Sequence, residues 1–71
     1  MNINKKISEL EYKLTQLNKE LLKDIKYFKK ESINDLNNKN YDSIQVFSKS
    51  IINKINEIKE VKKILNKLKN F

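Results

Sequence analysis

The chain has no glycine, no proline, no cysteine, no histidine and no arginine, and each absence closes off something. Without glycine, a phosphate-cradling loop of the glycine-rich kind cannot form, because its backbone visits conformations that a Cβ forbids. Without cysteine, no disulfide or thiolate metal site can staple a small domain, and cysteine usage gives no clue to the redox compartment. Without histidine, the commonest general base and the commonest metal ligand are missing together. No serine stands in a nucleophile motif. The expectation is therefore a non-enzymatic protein with no catalytic residues, no metal, no cofactor and no small-molecule substrate. The opening stretch "MNINKKISEL" lacks a continuous apolar run. Neither a signal peptide nor a membrane span is expected from it, and a soluble, cytoplasmic protein with no membrane partner is.

What the chain does contain is lysine. All sixteen basic residues are lysine against nine acids, a net charge of +7, and lysine, asparagine and isoleucine fill about half of the sequence. Such usage resembles that of a very A+T-rich genome, which weakens the basic balance as a sign of nucleic-acid binding. At 71 residues there is room for one small domain, in the size range where a single core is marginal.

Apolar residues recur as Ile3, Ile7, Leu10, Leu14, Leu17, Leu21, Ile25 and Phe28, pass through Ser32 and end at Leu36. As far as Phe28 the alternation of threes and fours, with one extra four at Leu17–Leu21–Ile25, is a coiled-coil-type helix stripe carrying a stutter, and beyond it the stripe continues by fours. A second stripe runs through Ile44, Phe47, Ile51, Ile55, Ile58, Val61, Leu65 and Leu68. The β-branched isoleucines are mediocre helix formers, but the spacing outweighs that prior. Folding the chain at "NNKN" pairs the stripes layer by layer, Leu36 with Ile44 at one end and Leu10 with Leu68 at the other, with Ser32 opposite the bulky Phe47. The predicted fold is all-α: an antiparallel, coiled-coil-like two-helix hairpin in one domain. Its first helix covers about 3–36, the turn about 37–41 and the second helix about 42–70. The alternative is one continuous helix in a long coiled coil.

The turn must work without glycine. Asparagine is the next best residue in the left-handed region, and Asn37, Asn38 and Asn40 cluster there among eleven asparagines. Asp42 with Gln45 three residues on makes a capping-box-like start for the second helix, with Asn40 as the rival cap.

Two helices alone bury only one stripe each, so an isolated hairpin should be marginal. Leu22 and Ile33 on the flank of the first helix, Ile52 beside the second stripe, and Val46 and Ile64 on its outer side are left over. Exposed apolar residues are ordinary one by one. Five on a hairpin with no third helix point to a second contact surface, for self-association into a four-helix bundle or docking on a protein partner. Glu31 with Asp35, and Glu57 with Glu60, lie one turn apart and could share a face, but neighbouring lysines are closer partners for them than a cation. Residues 49–71 hold seven lysines against two acids, and Lys54, Lys59, Lys62, Lys63, Lys67 and Lys69 make a positive strip. That strip either grips phosphates or is a solvated face with cations favourable at a helix C-terminus.

Two resemblances follow. "KELL" at Lys19–Leu22, "LNN" at Leu36–Asn38 and "INKIN" at Ile52–Asn56 resemble elements of the bacterial large-subunit ribosomal protein family that folds as a basic two-helix hairpin. Over nearly the whole chain, this resemblance implies binding of ribosomal RNA near the peptide exit tunnel, with Lys54 in the place of that family's arginine. Tyr41 just after the turn and the stripe "YDSIQVFSKSIINKINEIKEV" are similar to the hairpin co-chaperones of type III secretion and, more loosely, to flagellar export chaperones. That resemblance implies covering the apolar face of an aggregation-prone partner. The expected function is a helix–helix interaction module (adaptor, co-chaperone or structural subunit), with RNA binding through the second helix as the alternative.

Overall fold

Asn2 opens the first helix: its side chain accepts a hydrogen bond from the backbone N–H of Lys5 at 3.2 Å, satisfying one of the donors a helix start leaves over. From there, a computed structural model describes residues 2–39 and 41–70. They form α1 (Ile3–Asn38) and α2 (Asp42–Lys69), packed antiparallel as a hairpin. The hairpin is a rod with extents of 53 × 15 × 15 Å. Its long dimension is the length of α1 itself, at about 1.5 Å per residue.

The turn corrects the expectation for it. The left-handed residue is Lys39, at φ 55°, ψ 33°, with its N–H directed back to the carbonyls of Asp35 and Leu36. Asn37 and Asn38 stay helical, and the Asn38 side-chain amide donates to Asn34 one turn back at 3.3 Å, so the reversal comes one residue later. Asn40 lies outside the described residues. Asp42 is not the N-cap of α2, the position that a capping box with Gln45 requires. It is the first helical residue, Tyr41 holds the cap position without a side-chain hydrogen bond, and the Tyr41 carbonyl already accepts from the Gln45 N–H at 3.1 Å. Asp42 still places an acid at the positive end of the helix dipole. A lysine in the left-handed region carries a Cβ penalty that glycine does not. Lys39→Gly is therefore expected to stabilise the hairpin by about 0.5–1 kcal/mol, read as a higher urea midpoint. A lower midpoint would mean that the turn does not depend on the left-handed geometry.

Along α1 the inward positions follow unbroken three–four spacing: Ile7, Leu10, Leu14, Leu17, Leu21, Asp24, Phe28, Glu31 and Asp35 are all buried or half-buried. The stutter expected at Leu17–Leu21–Ile25 is absent. Asp24 takes the seam in place of Ile25, which is exposed, and Asp35 takes it in place of Leu36, which is 58% exposed. On α2 the same spacing runs through Ile44, Phe47, Ile51, Lys54, Ile58, Val61, Leu65 and Leu68. The reason is geometric: an uninterrupted heptad keeps one stripe on the partner helix, and the chain retains that at the cost of placing charge inside.

The apolar core therefore occupies one half of the rod. Leu10, Leu17, Ile58, Val61 and Leu65 are buried, with Ile7, Leu14, Leu21 and Leu68 packed against them. Each such side chain contributes roughly 1.5–3 kcal/mol when fully buried. None of those described is completely shut off from solvent.

Candidate interaction surface

Toward the turn the seam changes character. At its centre Lys54 Nζ donates to Asp24 Oδ2, and Ser50 Oγ donates to the same oxygen at 3.0 Å, with both charged side chains mostly buried. This is a polar layer at the edge of the apolar half of the seam, of the kind that fixes register at some expense in stability. The Lys54 hydrogen bond holds the Asp24 carboxyl below the usual carboxylate range. Burial opposes this, and Ser50 adds to the lowering. A carboxyl lowered in the folded state contributes stability that is present above its unfolded value and lost as pH falls through the folded one. Wild-type stability is expected to fall as pH drops below about 4. The Asp24→Asn variant should be weaker at neutral pH and flatter across that interval, as followed by urea unfolding. Equal acid slopes for the two would remove Asp24 from the account.

Nearer the turn, Tyr27 stacks on Phe47, ring centroids 6.4 Å apart. Ser32 Oγ and Asp35 Oδ2 are buried without a hydrogen-bond partner. Unpaired buried polar atoms weaken a seam, so this end of the rod is the softer one. Of the carboxylate pairs considered above, Asp35 turns into the seam and Glu57 pairs with Lys13 at 3.4 Å. Among the described residues no group of carboxylates is arranged to hold a metal ion.

Writing the seam as heptad positions a and d, with Leu21 and Ile58 at a, gives the rod two distinct sides. Glu11 pairs with Lys69 at 3.7 Å, joining e to e; Lys13 pairs with Glu57, joining g to g. The e and b positions form one flank, and the g and c positions the other. The five apolar residues singled out from sequence are all exposed, but they do not share a side. Leu22 (61% exposed) and Ile52 (57% exposed) are b residues of the first flank. Val46 and Ile64 belong to the second, and Ile33 lies on the back of α1. Sequence spacing missed the companions of Leu22 and Ile52 on the e/b flank, namely Ile25, Leu36 and Ile55, by assigning them to the seam. The signal that finds them is the strict heptad counted from the terminal half of the rod.

The six lysines of the second helix also separate. Lys54 turns inward to Asp24 and Lys69 pairs with Glu11. Lys59, Lys62, Lys63 and Lys67 are exposed over the outer half of α2. An open depression lined by Val46, Lys49, Ser50, Asn53, Lys54 and Glu57 lies along the g/c side, a surface dip in one helix with no convergent chemistry. No described helix is long and apolar enough to cross a membrane. No family model, no curated protein and no solved structure matches the chain.

Proposed function

We propose that this chain is a non-enzymatic helix–helix interaction module: an adaptor, co-chaperone or structural subunit that completes a larger helical assembly. One observation carries the reading. Among the described residues, apart from Tyr12 and Ile64, the large apolar side chains left exposed all lie between residues 22 and 52, on the half of the rod where charged side chains enter the seam. Outward apolar residues beside a weak seam are what a hairpin has when further helices are to pack on it.

Sedimentation and thermal unfolding of the purified chain test the proposal. A broad, weakly cooperative transition at low concentration is expected for the isolated hairpin. A sharply cooperative, stable monomer would overturn the reading, since the chain would then need no further contact. A second reading, binding of ribosomal or other RNA, draws support from the four exposed lysines on the outer half of α2. RNA that co-purifies and dissociates steeply as salt rises would put that reading in place of the first.

A further inference from the structure

The two flanks of the rod differ in a way that selects a partner. On the e/b flank, Leu22 and Ile25 of α1 stand three residues apart, as do Ile52 and Ile55 of α2, and Leu36 follows on the same flank beyond Lys29 and Ser32. The Glu11–Lys69 pairing sets the register, and it places Ile25 across from Ile55 and Ser32 across from Ser48. The middle of this flank is thus an apolar strip, with two small side chains opposite each other nearer the turn. That is the shape that accepts knobs from a third helix lying between α1 and α2.

Charge decides which helix. Once Glu11 and Lys69 are paired with each other, the charged residues left at the e and b positions are Lys29, Lys59 and Lys62, all exposed, with no acid among them. The g/c flank instead carries four acids, Glu9, Glu20, Glu57 and Glu60, among its lysines. A second copy laid on the e/b flank would bring two lysine-only rims together, and like charges in an interface exclude wrong partners. We infer that the e/b flank is the docking site for an amphipathic helix of another protein whose apolar stripe is bordered by acidic residues, completing a three-helix bundle. This rests on the interaction-module reading and deepens it by naming the partner's chemistry.

The test uses the full chain and a labelled helical peptide of about four heptads, with leucine at a and d and glutamate at e and g. Such a peptide repels itself and reports only heterotypic binding. A matched peptide with lysine at e and g is the comparison. Fluorescence anisotropy is expected to show the glutamate peptide bound at least tenfold more tightly than the lysine one. Ile25→Ser with Ile52→Ser, both at exposed positions, should weaken binding at least tenfold while the circular dichroism of the free chain is retained. Reversal of Lys29, Lys59 and Lys62 to glutamate should exchange the peptide preference. Val46→Ser, on the other flank, should change nothing.

Several outcomes would overturn the inference. One is equal affinity for both peptides; another is a loss with Val46→Ser as large as that with the isoleucine pair. A dimer of the chain dispersed by Ile25→Ser and Ile52→Ser would make the occupant a second copy. Binding to anionic phosphatidylglycerol vesicles, with none to the glutamate peptide, would make it a lipid surface. A marginal chain that binds neither peptide sinks this inference alone, whereas a sharply folding monomer sinks the interaction-module reading beneath it.

Discussion

Leu17→Ala is expected to remove about 2–5 kcal/mol and leave the isolated chain largely unfolded, whereas Leu36→Ala is expected to change stability by less than about 0.5 kcal/mol. Both leucines stand in what the sequence presents as one continuous stripe. Leu17 is buried with Val61 and Leu65 in the apolar half of the rod, and truncating it removes transfer free energy and leaves a cavity that two stiff helices cannot close. The isolated hairpin has little to spare, since a domain of this length is held by about 0.05–0.15 kcal/mol per residue even when its core is complete. Leu36 projects outward, and alanine there is as good a helix former. Urea unfolding followed by helical circular dichroism distinguishes the pair. Similar losses for both would show that the seam runs through Leu36 and that the heptad is broken after all.

The second large effect concerns the polar layer. Lys54→Leu alone should cost a few kcal/mol, because Asp24 stays mostly buried with only Ser50 to donate to it, and an uncompensated charge inside is strongly destabilising. Changing Asp24 to leucine as well should return stability to wild type or above it, since apolar residues of suitable size often replace a buried ion pair at no loss. The return should be accompanied by a loss of uniqueness. With leucine at both positions the two stripes become continuous apolar faces from Ile7 to Phe28 and from Ile44 to Leu68. Sedimentation equilibrium should then show mixed oligomers, against a single species expected for the wild type. A double variant that remains as weak as Lys54→Leu, or that keeps the wild-type assembly state, would argue that this layer neither destabilises nor specifies.

These contrasts also mark where the sequence could and could not be read. At Ile7, Leu10, Leu14, Leu17 and Leu21, and again at Ile58, Val61, Leu65 and Leu68, the apolar residues and the heptad coincide, so the hairpin and its terminal core are legible from spacing alone. From the middle of the rod to the turn they part company by one residue: Ile25 neighbours Asp24, Ile55 neighbours Lys54, and Leu36 neighbours Asp35. Apolarity favours the first member of each pair, while unbroken helix geometry favours the second. Burying Asp24 is tolerable only because Lys54 and Ser50 come to it from the other helix, thirty and twenty-six residues away. A pairwise compensation of that kind is not visible in one stripe read by itself. The e/b flank is hidden for the same reason, because Ile25, Ile55 and Leu36, which complete it, also fit an inward stripe. The turn was legible as a place but not as a residue, since Asn38 finds a local partner in Asn34 and passes the reversal on to Lys39.

The position of the core has a kinetic consequence. A helical hairpin ordinarily zips from its turn, closing short loops first, and folds fast because its early contacts are local. Here the segments beside the turn offer two unpartnered oxygens and an outward leucine, while the rewarding contacts among Leu17, Leu21, Ile58 and Val61 close a loop of more than thirty-five residues. The entropy of that closure must be met before anything offsets it. Folding should therefore begin at the open end of the rod and finish at the bend. Substitutions in the leucine–valine cluster should slow refolding, while those at Lys39 should act mainly on the unfolding rate.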